Sequence, residues 1–296
     1  MTKIRVGHLY SLSPIHCGGE GDLGNILDIA REAHTSFPYI PGSSLRGGIR
    51  YEVEDYKELE VADRLFGKEL KNSEPMGVHQ VWFGDARLLW VPMRTLSIEG
   101  KDVFVWVSCH SLLRDYALVA KQPKAVFPEN PVGDKAGNCM VADATLSISP
   151  LNADQRSALQ MAGDWHSDLK TAIYPTWEKS RIVLPDSDFQ ILMEHSLWTQ
   201  IRNNIDKKTG SAGVFWTDVC IPRDTILYYT WGYNLHKIDP IKESDHASLT
   251  SVLQGLLQLG GQANVGRGWA QSWIANAKSP LPKSQNIAQD TATVGG

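Results

Sequence analysis

Along residues 3–12 apolar Ile4, Val6, Tyr10 and Leu12 alternate with other residues, which predicts a strand. Runs rich in β-branched and aromatic residues at 81–92, 102–108, 225–233 and 269–274 predict further strands. Leu45, Ile49 and Val53 recur four apart, the stripe of an amphipathic helix. Leu249, Val252, Leu253, Leu256 and Leu257 predict a second helix over 247–259, stopped by Gly260 and Gly261. Shorter helices are expected near 61–66, 111–120 and 152–162. Residues 198–205 and 214–221 flank a turn-forming stretch and read as a β-hairpin. Residues 110–197 show no linker-like edges and read as an insertion within one domain spanning 1–274. Residues 275–296 lack an apolar pattern and are expected to be a flexible tail. The coarse order is strand, helix, strand, strand, insertions, helix, strand. It predicts the α+β class with a ferredoxin-like, RNA-recognition-type palm, βαββαβ, carrying large insertions.

The first long helix has an informative entrance. Pro38 and Pro41 keep the approach extended, Gly42 permits a sharp turn, and Ser43 or Ser44 can cap free N–H groups. Arg46 and Arg50 share a face, while Gly47 and Gly48 remove side chains where something must come close. A helix start with hydroxyls and nearby arginines suits phosphate. A second loop, 13–24, has glycines at 18, 19, 21 and 24. It matches neither a Walker A loop nor a dinucleotide fingerprint, so a nucleotide-binding enzyme ranks last among the readings.

Composition narrows the picture. The 296 residues are 42% hydrophobic and 21% charged, with ten tryptophans and a formal charge of −4. That balance excludes a general polyanion binder and requires any nucleic-acid site to be a local groove. Cys17, Cys109, Cys139 and Cys220 form no CxxC pair, and no signal-peptide pattern is seen, so a reducing cytoplasm is the expected location. No apolar run approaches the roughly 18–20 residues that span a bilayer.

Four segments carry a resemblance. His16 precedes a glycine-rich loop, then Arg31-Glu-Ala-His-Thr35 and the Pro-Gly-Ser-Ser-Leu-Arg-Gly stretch at 41–47. Leu-Phe-Gly at 65–67 precedes Phe-Gly-Asp-Ala-Arg-Leu-Leu at 83–89 and Val-Pro-Met-Arg at 91–94. Asn203, Thr209 and Gly210 precede Ile221 and Pro222, and Leu-Gly-Gly-Gln-Ala-Asn-Val-Gly-Arg-Gly stands at 259–268. Together, from residue 4 to about 274, these resemble the RAMP superfamily of CRISPR effector complexes. More narrowly they resemble the repeated backbone subunit of the type III-B (Cmr) complex.

The resemblance implies copies of the chain polymerised side by side along a CRISPR RNA, positioning a target single-stranded RNA. Other RAMP subunits and helical small and large subunits would complete the complex, with no membrane involved. The 198–221 hairpin would be a thumb, with Ile205, Val214, Phe215 and Trp216 as wedges between bases. Arg31, His34, Ser43, Ser44, Arg46, Arg50, Gln262 and Arg267 would hold phosphate and sugar. Trp165 and Trp177 would face a neighbouring subunit.

Family members cut target RNA with a divalent metal and an aspartate five residues before the arginine of Arg-Glu. Here that place is Ile26, between Asn25 and Leu27. Asp22 and Asp28 are the nearby substitutes, with Asp28 the better placed to hold Mg²⁺ or another divalent ion. His16 would be a general acid or base, and Asp218 is a further acidic candidate. The alternative is a CRISPR RNA-processing endoribonuclease of the same superfamily, acting through His16 or His34.

Overall fold

The structure, a computed structural model, describes residues 4–19, 25–57, 59–68, 79–97, 103–205, 212–234 and 241–275. The chain opens with β1 (Arg5–Ser11), the short strands β2 (Ile26–Leu27) and β3 (Tyr39–Ile40), then α1 (Gly42–Lys57) and α2 (Leu59–Phe66). β4 (Val81–Phe83), the long β5 (Ala86–Ser97), β6 (Phe104–Cys109) and α3 (His110–Ala120) follow. Next come β7 (Val132–Gly133), β8 (Gly137–Val141), β9 (Ala144–Pro150) and α4 (Ala153–Ala158). After these are α5 (Ser167–Ala172), α6 (Tyr174–Trp177), β10 (Arg181–Leu184) and α7 (Asp186–Ser196). β11 (Trp198–Ile205) and β12 (Ala212–Cys220) lead to β13 (Ile226–Tyr233), α8 (Glu243–Val252), β14 (Leu256–Gln258) and β15 (Trp269–Ile274).

The palm of this mixed α+β fold is the sheet order β14-β15-β1-β13-β5, with antiparallel neighbours throughout. Helices α1 and α8 cover one face, where Leu45, Ile49, Val53, Leu249 and Leu253 pack with Leu9 and Leu227. The other face carries Val6, Tyr10, Tyr228 and Trp273, and residues 110–177 cover it with Tyr116, Trp165 and Trp177. With cover on both sides, all seven residues of β1 are buried, although the alternating pattern alone suits a half-buried strand.

Trp165 stacks on Trp273 at a centroid distance of 5.6 Å, and Trp177 meets Trp90 edge-on at 5.7 Å. The expectation that Trp165 and Trp177 face a neighbouring subunit is therefore corrected. They are 9% and 0% exposed, because the second sheet face needs large apolar cover.

β5 belongs to two structures at once. Its first half pairs with β13, its middle with β6, and its last residues with β8. Through β6, β10, β7, β9 and β8 the pairing returns to β5, closing a six-stranded ring. Val91, Met93, Val105, Val107 and Ile182 are buried on these strands, and Phe189 and Met193 of α7 pack in the same core.

Two boundaries differ from expectation. The strand expected over 81–92 divides at Gly84 and Asp85, where the Gly84 N–H turns to the Thr230 carbonyl at 2.8 Å. The helix expected over 247–259 ends at Val252, and Leu256 and Leu257 instead pair with β15 as a strand. Their apolar side chains satisfy either periodicity, and tertiary pairing decides. Among the described residues no helix is long and apolar enough to cross a membrane. Beyond residue 275 the expected tail lies outside the described residues.

Candidate nucleic-acid interface

Residues 15–19 form a seam that gathers the candidate residues. Ile15 exchanges two backbone hydrogen bonds with Ile221, at 3.0 and 2.9 Å. The His16 carbonyl accepts the Gly261 N–H at 2.8 Å, and the Cys17 carbonyl accepts the Ala30 N–H at 2.8 Å. The Gly19 N–H donates to the Asp28 carbonyl at 3.2 Å. The root of the hairpin, the late glycine turn and the 28–31 stretch thus meet on one strip of backbone. Gly260 makes the approach possible: its φ is +77°, and a Cβ there would stand 2.3 Å from the His16 carbonyl oxygen. His16 itself is 8% exposed and its Nδ1–H donates to the Val219 carbonyl at 2.8 Å. That bond leaves the lone pair of the neutral ring on Nε2.

β11 and β12 form an antiparallel hairpin, and β2 joins it in parallel, Ile26 opposite Thr217 and Leu27 opposite Asp218. The register places Ile201, Thr217 and Ile26 in one row, with Phe215 on the same face. Ile201, Phe215 and Ile26 are all exposed. Trp216 is half-buried on the opposite face, under the Arg202 guanidinium at 5.4 Å. The side chains of Ile205 and Val214, and Asp22 altogether, lie outside the described residues.

On that opposite face Asp218 is fully buried. Arg202 Nε lies 2.6 Å from its Oδ2 and Arg267 Nη1 donates to the same oxygen at 2.9 Å. Gln262 Nε2 reaches Oδ1 at 3.3 Å. Arg267 also binds Gln200 and Gln262 and lies 4.6 Å over the Trp198 ring. Its guanidinium is therefore committed inside the protein and 4% exposed. Asp218, likewise, is an internal counter-ion and presents no oxygen to solvent.

Asp28 is also engaged. Its carboxylate accepts the Ile29 N–H at 2.8 Å and two N–H groups of Arg31 at 3.2 and 3.3 Å. Arg31 reaches on to Glu194 at 2.5 Å and the Ser36 carbonyl at 3.2 Å. Burial by itself would lower the Arg31 pKa, but the hydrogen bonds to Asp28 and Glu194 outweigh it and raise it. Among the described residues no group of three His, Cys, Asp or Glu side chains is placed to hold a metal. Among the described residues the Asp28 carboxylate is thus engaged by Arg31 and has no second acid beside it, whereas Glu20 and Asp22 of the preceding loop lie outside the described residues. His34 is exposed, 4.0 Å from Glu32, which is held by Arg87 at 2.6 Å.

At the start of α1 the Asp85 carboxylate accepts the Gly42 N–H at 2.7 Å. The helix begins at Gly42, so Ser43 and Ser44 lie inside its first turn and Asp85 caps it instead. Ser43 is exposed and Ser44 half-buried. Arg46 donates to the Phe66 carbonyl, and Arg50 to the Gly67 carbonyl at 2.6 Å and to Asp63 at 3.0 Å. Both arginines thus anchor the end of α2, the pole where cations are favourable. Gly48 answers a close approach, since a Cβ would meet the Gln258 carbonyl at 2.9 Å, whereas Gly47 faces open space.

Sequence reading missed Asp85, Trp198, Gln200 and Arg202. The last three stand two apart on one face of β11, a spacing that could have flagged a polar inner face.

The RAMP superfamily model matches residues 8–271. The chain is 29% identical to the CRISPR system Cmr endoribonuclease Cmr4 of Pyrococcus furiosus, over 89% of this chain and 92% of that one. In fold it is similar to a chain of the type III-B Cmr-beta complex bound to cognate target RNA, with a TM-score of 0.70 and 17% identity. That match covers 92% of this chain and 97% of the other. The crystal structure of oligomeric Cmr4 from Pyrococcus furiosus matches with a TM-score of 0.66 and 22% identity, over 93% and 98%.

Proposed function

The chain belongs to the RAMP superfamily, and from that premise we propose that it is the backbone subunit of a type III-B CRISPR effector, holding a CRISPR RNA and positioning a target RNA along it. One observation supports this reading most: the match to a Cmr4 endoribonuclease, at 29% identity, extends over 89% of this chain and 92% of that relative. In this reading copies of the chain stack along the guide, with other RAMP and helical small and large subunits beside them, in the cytoplasm. The exposed face of Ile201, Phe215 and Ile26 meets bases, which stack on any apolar surface, while sequence is read by base pairing. His34 and Ser43 are the solvent-facing polar members of the expected backbone-binding set.

The same reading makes this subunit a holder rather than a cutter. Isoleucine at position 26 can neither bind a metal nor take a proton, and Asp28 is bound by Arg31. In a reconstituted complex supplied with Mg²⁺, target RNA is expected to stay intact with the natural chain and to be cut at regular intervals with Ile26→Asp. Cutting by the natural chain that disappears with Asp28→Ala would overturn the holder assignment.

A further inference from the structure

The hairpin is held to the palm in an unusual way. Its outward face carries Ile201, 72% exposed, and Phe215, 50% exposed, so apart from Val219 at the root apolar burial does not fix that side. What lies beneath is charge. Asp218 comes from β12, Arg202 from β11, and Arg267 from the turn between β14 and β15, and all three meet at one fully buried carboxylate. Gln262 of the turn and Gln200 of β11 complete the hydrogen bonds, and the Trp198 ring lies 4.6 Å beneath the Arg267 guanidinium. A fourth segment joins through backbone, because Leu27 pairs with Asp218 across β2 and β12. In a water-poor site such pairs are strongly directional, and removing one partner leaves the others as uncompensated charge.

We propose that Asp218 is a positioning residue that locks the hairpin, the glycine turn and residues 25–28 into one rigid unit and so sets the angle at which the hairpin leaves the palm. The rigidity needs no RNA. Its consequence, a thumb held at one register against the guide, rests on the function proposed above.

The test is amide hydrogen exchange of the purified chain without RNA, comparing the natural protein with Asp218→Asn, which keeps the shape and removes the charge. Exchange in residues 199–203, 215–220 and 25–28 is expected to speed up by roughly ten- to a hundredfold, with β1 and β13 unchanged. Adding Arg267→Gln removes a buried cation left without its counter-ion, and should restore part of the protection. Thr199→Ala, on the exposed face of the same hairpin, should change nothing. Unaltered exchange in the hairpin and 25–28 would overturn the proposal. So would an equal rise in β1 and β13, which would make Asp218 a general stability residue. A natural chain that fails to bind guide RNA, with the exchange pattern as expected, would instead count against the proposed function alone.

Discussion

At the scale of single residues, His8 shows how burial sets a pH response. It lies on β1 with its ring stacked 5.0 Å from Trp273 and its Nε2 2.8 Å from the Tyr116 hydroxyl. That hydroxyl also accepts the Ala162 N–H at 2.7 Å, so His8 is tied through it to the insertion. Burial pushes the His8 pKa down to about 3. In the unfolded chain the value returns to about 6.5, so between these limits the unfolded state binds the extra proton. Stability is then complete above that upper limit, is lost as pH falls towards the lower one, and levels off below it. His8→Phe removes this slope. Urea midpoints at pH 7.5 and pH 4.5 should differ less for the variant than for the natural chain, and equal differences would contradict the assignment.

Among elements, the glycines separate close approach from mere flexibility. Gly260→Ala forces a positive φ on alanine and drives its Cβ into the His16 carbonyl, and should cost on the order of 2 kcal/mol. Gly47→Ala, on α1 with nothing near it, should add about 0.5–1 kcal/mol through helix propensity. Paired urea titrations with opposite signs would support both placements. The same contrast explains what could be read from sequence. Helix α1 was legible because Leu45, Ile49 and Val53 repeat at the helical period over its whole core-facing side. The hairpin was legible from its two runs and polar turn. The ring was not, since strands of two to five residues such as β7, β8 and β10 are too short to show a period and pair with partners far away. At the site, Asp218 reads from sequence only as a further acidic candidate on the return strand of the hairpin. Only the return of Arg267, 49 residues later, makes it internal.

For the molecule as a whole, the insertion and the palm share β5 and the second aromatic core, and are expected to unfold as one cooperative body. Trp177, fully buried between Trp90, Trp165 and the Arg181 guanidinium, joins the two. Trp177→Ala should lower stability by about 3–5 kcal/mol. The loss should appear as a single unfolding transition displaced to lower urea, and two separate transitions would show that the insertion folds alone. The closed ring has a further effect on how molecules meet. Six strands have no outer edge to offer, and at the other end of the large sheet β14 is only three residues long. Among the described residues the eight-residue β11, paired only with β12, is the longest strand left open on one side. Among the described residues the longest edge open to strand addition is thus the outer rim of the hairpin, and under the proposed function an RNA lying against it would also shield it.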